Sequence, residues 1–309
     1  MTTLDTPATD AVERPYTASR PARRRTWPRM LAYVVLIATT VGVLAPILWA
    51  VYTSLRPVSD TLKNGYFSLP GGGLTFHNYT QAWQQADFGK YLVNTLIIVV
   101  PSVLVVLLLS TFLGYALSRF PLKVNVALLM LFTAGNLLPQ QVVITPLYLM
   151  YLKLWMPFLL SEDGYWINSQ TGVVLIHVAF QMGFCTFVMS SYMKTIPQEL
   201  TEAALIDGAG VLSQFWRIIL PLCRAPLAAL ATLEFTWVYN DFFWALVLLI
   251  GNPQDQPITT ALNSLNGTYF TNDNLVAAGA LMTALPTIFV FVVLQRYFVG
   301  GLTLGATKG

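Results

Sequence analysis

The sequence predicts an all-α integral membrane protein with six transmembrane helices. Three observations lead there. Of its 309 residues, 55% are hydrophobic and only 10% are charged, where soluble domains carry roughly a quarter charged residues. So much apolar surface cannot be hidden in one aqueous core. Six apolar runs, Met30–Tyr52, Tyr91–Leu117, Val124–Pro146, Gly172–Met193, Pro226–Ile250 and Leu275–Phe298, reach the ~20 residues that a bilayer crossing needs. The basic residues are also lopsided. With the N-terminus inside, 13 of the 17 Lys and Arg fall in inner segments, and only Arg56, Lys63, Lys90 and Lys153 fall in outer ones. Cationic loops stay on the cytoplasmic side. The expectation is a multi-pass protein of the cell membrane with both termini in the cytoplasm.

Residues 1–29 are rich in Thr, Ala, Pro and Arg and show no apolar periodicity. They read as a disordered basic cytoplasmic tail, leaving 30–309 as the transmembrane domain. Arg20, Arg23, Arg24, Arg25 and Arg29 cluster just before the first run. That cluster holds the N-terminus inside and suits contact with anionic lipid of the membrane; no nucleic-acid partner is expected. The first run exceeds the ~7–15 apolar residues of a signal peptide. Cys185 and Cys223 are the only cysteines, so no disulfide framework is implied. Nothing near His77 suggests a metal site. His177 and Cys185, inside the fourth run, read as packed or hydrogen-bonded core residues.

The third run contains Pro139, Gln140, Gln141 and Pro146. Proline there implies a kink or an early end. Gln140 and Gln141 either line a polar path or bond between helices.

In the fifth run, Glu234, Trp237, Asp241 and Trp244 lie at i, i+3, i+7 and i+10. On a continuous helix they share one face, within roughly 80° of arc. Ionisable groups inside a span face the protein interior or a watery path. Carboxylates accept hydrogen bonds from hydroxyls, and indoles present an apolar face to ring C–H groups, so the stripe suits a sugar. The alternative is that each acid pairs with a neighbouring helix and fixes packing.

The most informative stretch is PQELTEAALIDGAGVLSQFWRIILPLCRAP, residues 197–226. Its apolar residues recur at helical spacing, interrupted by Gly208 and Gly210. That predicts two short amphipathic helices with a bend at the glycines. Pro197 stands near the start of the first, Glu199 and Glu202 favour its positive end, and Pro221 closes the second.

These residues carry a resemblance. Glu202-Ala203-Ala204, then Gly208, then Ile218-x-Leu220-Pro221 resembles the EAA signature of ABC importer permeases at each fixed position. Ile206-Asp207-Gly208-Ala209 is similar to the IDGA of the carbohydrate-importer permeases, the family of the maltose transporter membrane subunits. Ser54-Leu55-Arg56-Pro57 resembles that family's SLKP, with Arg for Lys. Asn78-Tyr79 and Asn94-Thr95 look like further landmarks. Asn240-Asp241 resembles an asparagine–acid pair, with Tyr239 where Trp is frequent. The ending Gly301 to Gly309 resembles the GLTxGAxKG of MalG-type permeases, with Gly300 where a polar residue is common. The outer loop 153–171 looks longer than usual for the family. The resemblance covers 30–309.

The resemblance implies a type I ABC importer transmembrane domain. Its EAA loop, 197–226, would be the cytoplasmic coupling element docking into an ATPase cleft. Glu202, Ala203, Ala204, Asp207, Gly208, Ala209, Ile218, Leu220 and Pro221 would carry that coupling. Gly301, Thr303, Gly305 and Lys308 would reach the ATPase dimer interface. The residues themselves offer Glu234, Trp237, Asp241, Trp244, Gln140 and Gln141 for a substrate path, to which the resemblance adds the pair Asn240-Asp241; Glu234 has no counterpart in the family pattern. The implied partners are a second permease subunit, an ATP-binding subunit dimer and an extracytoplasmic solute-binding protein. The chain has no Gly-x-x-x-x-Gly-Lys-Ser/Thr loop to cradle phosphates. It is therefore expected to bind no cofactor and to catalyse nothing, ATP and Mg residing on the ATPase. The expected function is sugar or oligosaccharide import. The alternatives are another solute, such as glycerol phosphate or a polyamine, and an ion-coupled transporter. The last would favour paired inverted broken helices, and no internal repeat is visible.

Overall fold

The computed structural model describes residues 27–303 apart from 70, 121–122, 158–159, 161–163 and 266–270. Most of the predicted N-terminal tail, and Gly305 and Lys308, lie outside the described residues. The chain divides into two compact units, one ending at Leu48 and one beginning at Trp49. The first holds most of α1 (Trp27–Ser54). That helix starts ahead of the predicted boundary, so Trp27, Pro28 and Arg29 are helical rather than part of a tail. A proline in the first turn costs nothing, because its missing N–H would have had no partner there.

The second unit continues with α2 (Val58–Asn64), α3 (His77–Gln85) and α4 (Phe88–Arg119). Then come α5 (Asn125–Asn136), α6 (Gln140–Tyr151), α7 (Gln170–Met193) and α8 (Glu199–Ile206). The remainder is α9 (Val211–Gln214), a π-helical turn at Phe215–Ile219, α10 (Leu220–Leu222), α11 (Arg224–Tyr239), α12 (Phe243–Leu248), α13 (Ile258–Ala261) and α14 (Asp273–Thr303). Among the described residues there is no strand, only an isolated antiparallel bridge between Trp155 and Tyr165.

Four helices, α1, α4, α7 and α14, are long and apolar enough to cross a membrane unbroken. The third run is not one helix ending at Pro146. It is α5 and α6, bent by 95° and extending to Tyr151. Pro139 sits in the break with φ −61° and ψ 127°. Its ring keeps the residue before it from helical geometry, and it has no N–H to donate. The fifth run is broken too. At 16 residues, α11 rises about 24 Å, less than a bilayer core of ~30 Å. Asn240, Asp241 and Phe242 separate it from α12.

The tightest pairing is α4 against α7. A Cβ on Gly114 would stand 2.9 Å from Met189 Cβ and 3.0 Å from Ser190 N. Only a residue without a side chain permits that approach. Two buried clusters result. One gathers Ile98, Val99, Tyr151, Ile176, Tyr239, Trp244 and Leu248. The other gathers Val106, Tyr115, Met189, Met193, Phe215, Ile219 and Cys223.

Candidate coupling segment and transport path

The segment between α7 and α11 starts from helix-ending chemistry. Gly208 has φ +80°, a conformation that an L side chain resists. Its N–H donates to Leu205 O at 3.0 Å, and the Ala209 N–H donates to Ala204 O at 2.8 Å. The two bonds together form a Schellman ending, in which a left-handed glycine closes the helix. Gln214 Nε2 then donates to Ala209 O at 2.9 Å and holds the returning chain.

This turn leaves Leu205, Ile206, Val211 and Leu212 at 64%, 87%, 50% and 62% exposure. A contiguous apolar face beside exposed Glu202, Ala203, Asp207 and Gly208 has the character of an interaction surface. Ala204 is buried beneath it, and Ala209 is half-buried. Ile218, Leu220 and Pro221 are half-buried on the side toward the spans. Pro221 lies one residue from the helix end, and the chain bends by 75° between Leu222 and Arg224.

The join to the spans is aromatic. Phe215 stacks on Phe112 of α4, with ring centroids 4.4 Å apart and planes at 19°. The π-helical turn that carries Phe215 is a geometry often found at functional sites. Arg119, at the end of α4, donates from Nη2 to Ile196 O at 3.1 Å. Gly301 and Thr303 fall in the last turn of α14.

The fifth run corrects the predicted stripe. Because the helix stops at Tyr239, the four residues do not line one continuous face. Glu234 and Trp244 are buried, at 0% and 1% exposure. Cys185 Sγ of α7 donates to Glu234 Oε1 at 3.1 Å. Asp241 accepts the N–H groups of Trp244 and Ala245 at 3.3 and 3.2 Å. Its Oδ2 lies 3.5 Å from His177 Nε2. Both acids are therefore turned to α7 or to the backbone. Trp237 and Asn240 remain exposed, with Gln141, while Gln140 is half-buried at the start of α6.

Sequence reasoning missed the partners of these acids. His177 and Cys185 are spaced by about two turns, as are Asp241 and Glu234, but that match becomes a signal only once α7 is known to run antiparallel beside the fifth run.

It also missed the role of Arg56, which is 1% exposed. Its Nε donates to Asp60 Oδ2 at 2.6 Å. Its terminal nitrogens donate to the Gly65, Tyr66 and Asp60 carbonyls and to Ser68. An ammonium has too few donors for that set, which accounts for Arg where the resembling motif has Lys. The guanidinium beside Asp60 holds its carboxyl below the usual range; burial opposes this, and Asn64 and the Gly71 N–H add to it. Asn78 and Asn274 complete the knot by donating to the Arg56 carbonyl.

Comparison with known proteins follows the same lines. Residues 91–303 match the family described as binding-protein-dependent transport system inner membrane components. The chain belongs to that family. As a permease of an ABC transporter it is a transport subunit, not an enzyme, and it works with a substrate-binding protein and other transporter components. The permease is 33% identical over 261 residues to the melibiose/raffinose/stachyose import permease protein MelC of Bacillus subtilis, covering 83% of this chain and 88% of that one. It is 31% identical to the diacetylchitobiose uptake system permease protein NgcG of Streptomyces coelicolor, covering 90% and 88%. Its fold matches a chain of a bacterial ABC transporter that imports the acidic polysaccharide alginate. The TM-score is 0.74 and the identity 21%, over 91% of this chain and 99% of that one. The permease thus has the type I importer fold and is a multi-pass membrane protein.

Proposed function

We propose that this permease is one of two membrane subunits of an importer for a sugar or oligosaccharide. The observation that carries the reading is its similarity, over most of its length, to permeases whose names specify melibiose, raffinose and diacetylchitobiose import. The glycine-closed segment 199–222 is the coupling element, docking its apolar face and Glu202 on an ATP-binding subunit dimer. ATP and Mg belong to that dimer, and this chain binds no cofactor. The end of the chain, from Gly301 and Thr303 to Gly305 and Lys308, reaches the same dimer. Both termini are cytoplasmic. Trp237, Asn240, Gln140 and Gln141 border the path.

Only contacts that differ between the inward- and outward-open states couple hydrolysis to movement. The aromatic join at Phe112 and Phe215 supports such a link, because it packs the coupling element directly on α4. The test is ATP-driven uptake by the reconstituted complex, with a panel of raffinose, melibiose, diacetylchitobiose, glycerol 3-phosphate and spermidine. Uptake confined to the sugars supports the reading. Uptake confined to the phosphate ester or the amine replaces it.

A further inference from the structure

Two ties join the fifth run to α7, and they differ in kind. Glu234 and Cys185 meet within the continuous part of α11. Asp241 and His177 meet at the break that follows it. The break is the only covalent link between α11 and α12. With six residues, α12 is far too short to hold itself as an isolated helix.

Besides the packing of Trp244, Ala245 and Leu248 in the buried cluster, polar ties fasten α12 at its two ends. At its start the Asp241 carboxylate caps Trp244 and Ala245. At its end, Leu248 O accepts the Asn168 N–H at 2.7 Å. The outer segment that follows is fastened in turn. Asn94 Nδ2 donates to the Gln254 and Gln256 carbonyls at 2.8 and 3.1 Å. Thr95 Oγ1 accepts the Ile258 N–H at 2.9 Å. Thr259 Oγ1 returns to the hinge, donating to Asp241 O at 2.6 Å. One residue, Asp241, thus touches the hinge backbone, the first turn of α12, the outer segment and α7.

We propose that His177 and Asp241 form a latch that sets the hinge between α11 and α12. His177 is then a positioning residue for transport, acting through Asp241 on exposed Trp237 and Asn240 just before the hinge. The proposal rests on reading the chain as a transport permease. Both side chains of the pair are nearly buried, at 5% and 10% exposure, so no bulk water competes for them. His177 Nε2 makes no hydrogen bond among the described residues, and Asp241 Oδ2 is the charged group that faces it. At 3.5 Å the contact is longer than a well-made hydrogen bond. It can tighten or release as the hinge moves, which a structural tie at full strength cannot do. The Glu234–Cys185 tie lies inside a helix and has no hinge to act on.

The test uses the whole complex in vesicles and two readouts that need no sugar. Leu246, exposed on α12, is replaced by Cys and labelled with N-ethylmaleimide, which enters both water and lipid; the two native cysteines are buried. The second readout is ATPase turnover and its KM for ATP. His177→Ala should speed labelling about threefold and change kcat with KM unmoved. His177→Gln, which keeps a donor within reach, should restore both. Asp241→Ser keeps the helix cap but loses the reach to α7, and should resemble His177→Ala. The double variant should be no worse than either single one. Glu234→Gln should leave labelling unchanged. Equal labelling in His177→Ala and Glu234→Gln would overturn the latch, as would failure of His177→Gln to restore. If His177→Ala does not assemble, Asp241→Ser against Glu234→Gln gives the same decision. Failure of every sugar to enter would count against the sugar reading alone, since neither readout involves a sugar.

Discussion

Cys185 Sγ lies 3.1 Å from Glu234 Oε1, with both residues fully buried between α7 and α11. The acid that the apolar run made conspicuous is thus engaged in a contact between two helices. Its other oxygen has no partner among the described residues. Removing the thiol strips the remaining one, and an unmet buried polar group costs roughly 1–3 kcal/mol. Cys185→Ala should therefore lower the Tm of the purified complex and leave its ranking of sugars unchanged. A changed ranking in the uptake panel would put Glu234 back in the path.

Gly208 supplies the left-handed turn that ends α8. Gly208→Ala should destabilise the turn by about 1–2 kcal/mol, reducing coupled ATPase activity modestly. Gly208→Pro should do far more, since proline fixes φ near −65° and has no N–H for Leu205. The complex should reach the membrane and yet fail to transport. Normal ATP-driven uptake by Gly208→Pro would remove the coupling role from this segment.

The fold was readable from apolar runs because a bilayer enforces run length directly. The turn after α8 was readable because Gly208 and Gly210 interrupt a clear helical period. The break after Tyr239 was not, because Phe242 to Ile250 continue the apolar pattern without a pause. The missed cue was chemical: Asp241 is a helix-capping residue type standing just before α12. Read as one more helical residue, it made a stripe with Glu234. Read as a cap, it ends one helix and starts another. The partners His177 and Cys185 required knowing that α7 lies alongside, which no local pattern reveals.

Close approach of α4 and α7 depends on Gly114. Gly114→Val would drive a side chain into Met189 and the Ser190 backbone. Overpacking of this kind costs about 1–3 kcal/mol. The expected result is a lower Tm that Met189→Ala does not rescue, because alanine keeps the Cβ that stands 2.9 Å away. Equal stability of Gly114→Val and the unaltered complex would mean that the helices separate freely here.

Arg56 and Asp60 predict a pH response with a definite sign. The Asp60 carboxyl is held below its ordinary value in the fold. Its contribution is therefore complete above the unfolded value of about 4 and is lost only as pH falls through the lower folded value. Between pH of about 7 and about 5, the knot around Arg56 should not weaken. Asp60→Asn should lower the Tm at neutral pH and make the remaining acid sensitivity shallower. Arg56→Lys should also lower it, because three donors cannot serve the partners of five.

The C-terminal proposal is tested by truncation. Deleting residues 304–309 should lower coupled ATPase activity while leaving the Tm of the spans unchanged. Full activity in the truncated complex would make that end dispensable.

Asn274 has a consequence for how the protein is made. Its amide donates to Thr53 O, Arg56 O and Thr61 Oγ1 at 2.9, 3.0 and 3.0 Å, groups that leave the ribosome more than two hundred residues earlier. Until the last helix enters the bilayer, those carbonyls have no such partner, and the loop that Arg56 organises is incomplete. The Arg56 knot is thus a seal that closes fully only once Asn274 has been made. A chain cut short before α14 carries an open seam between the ends of its first and last helices.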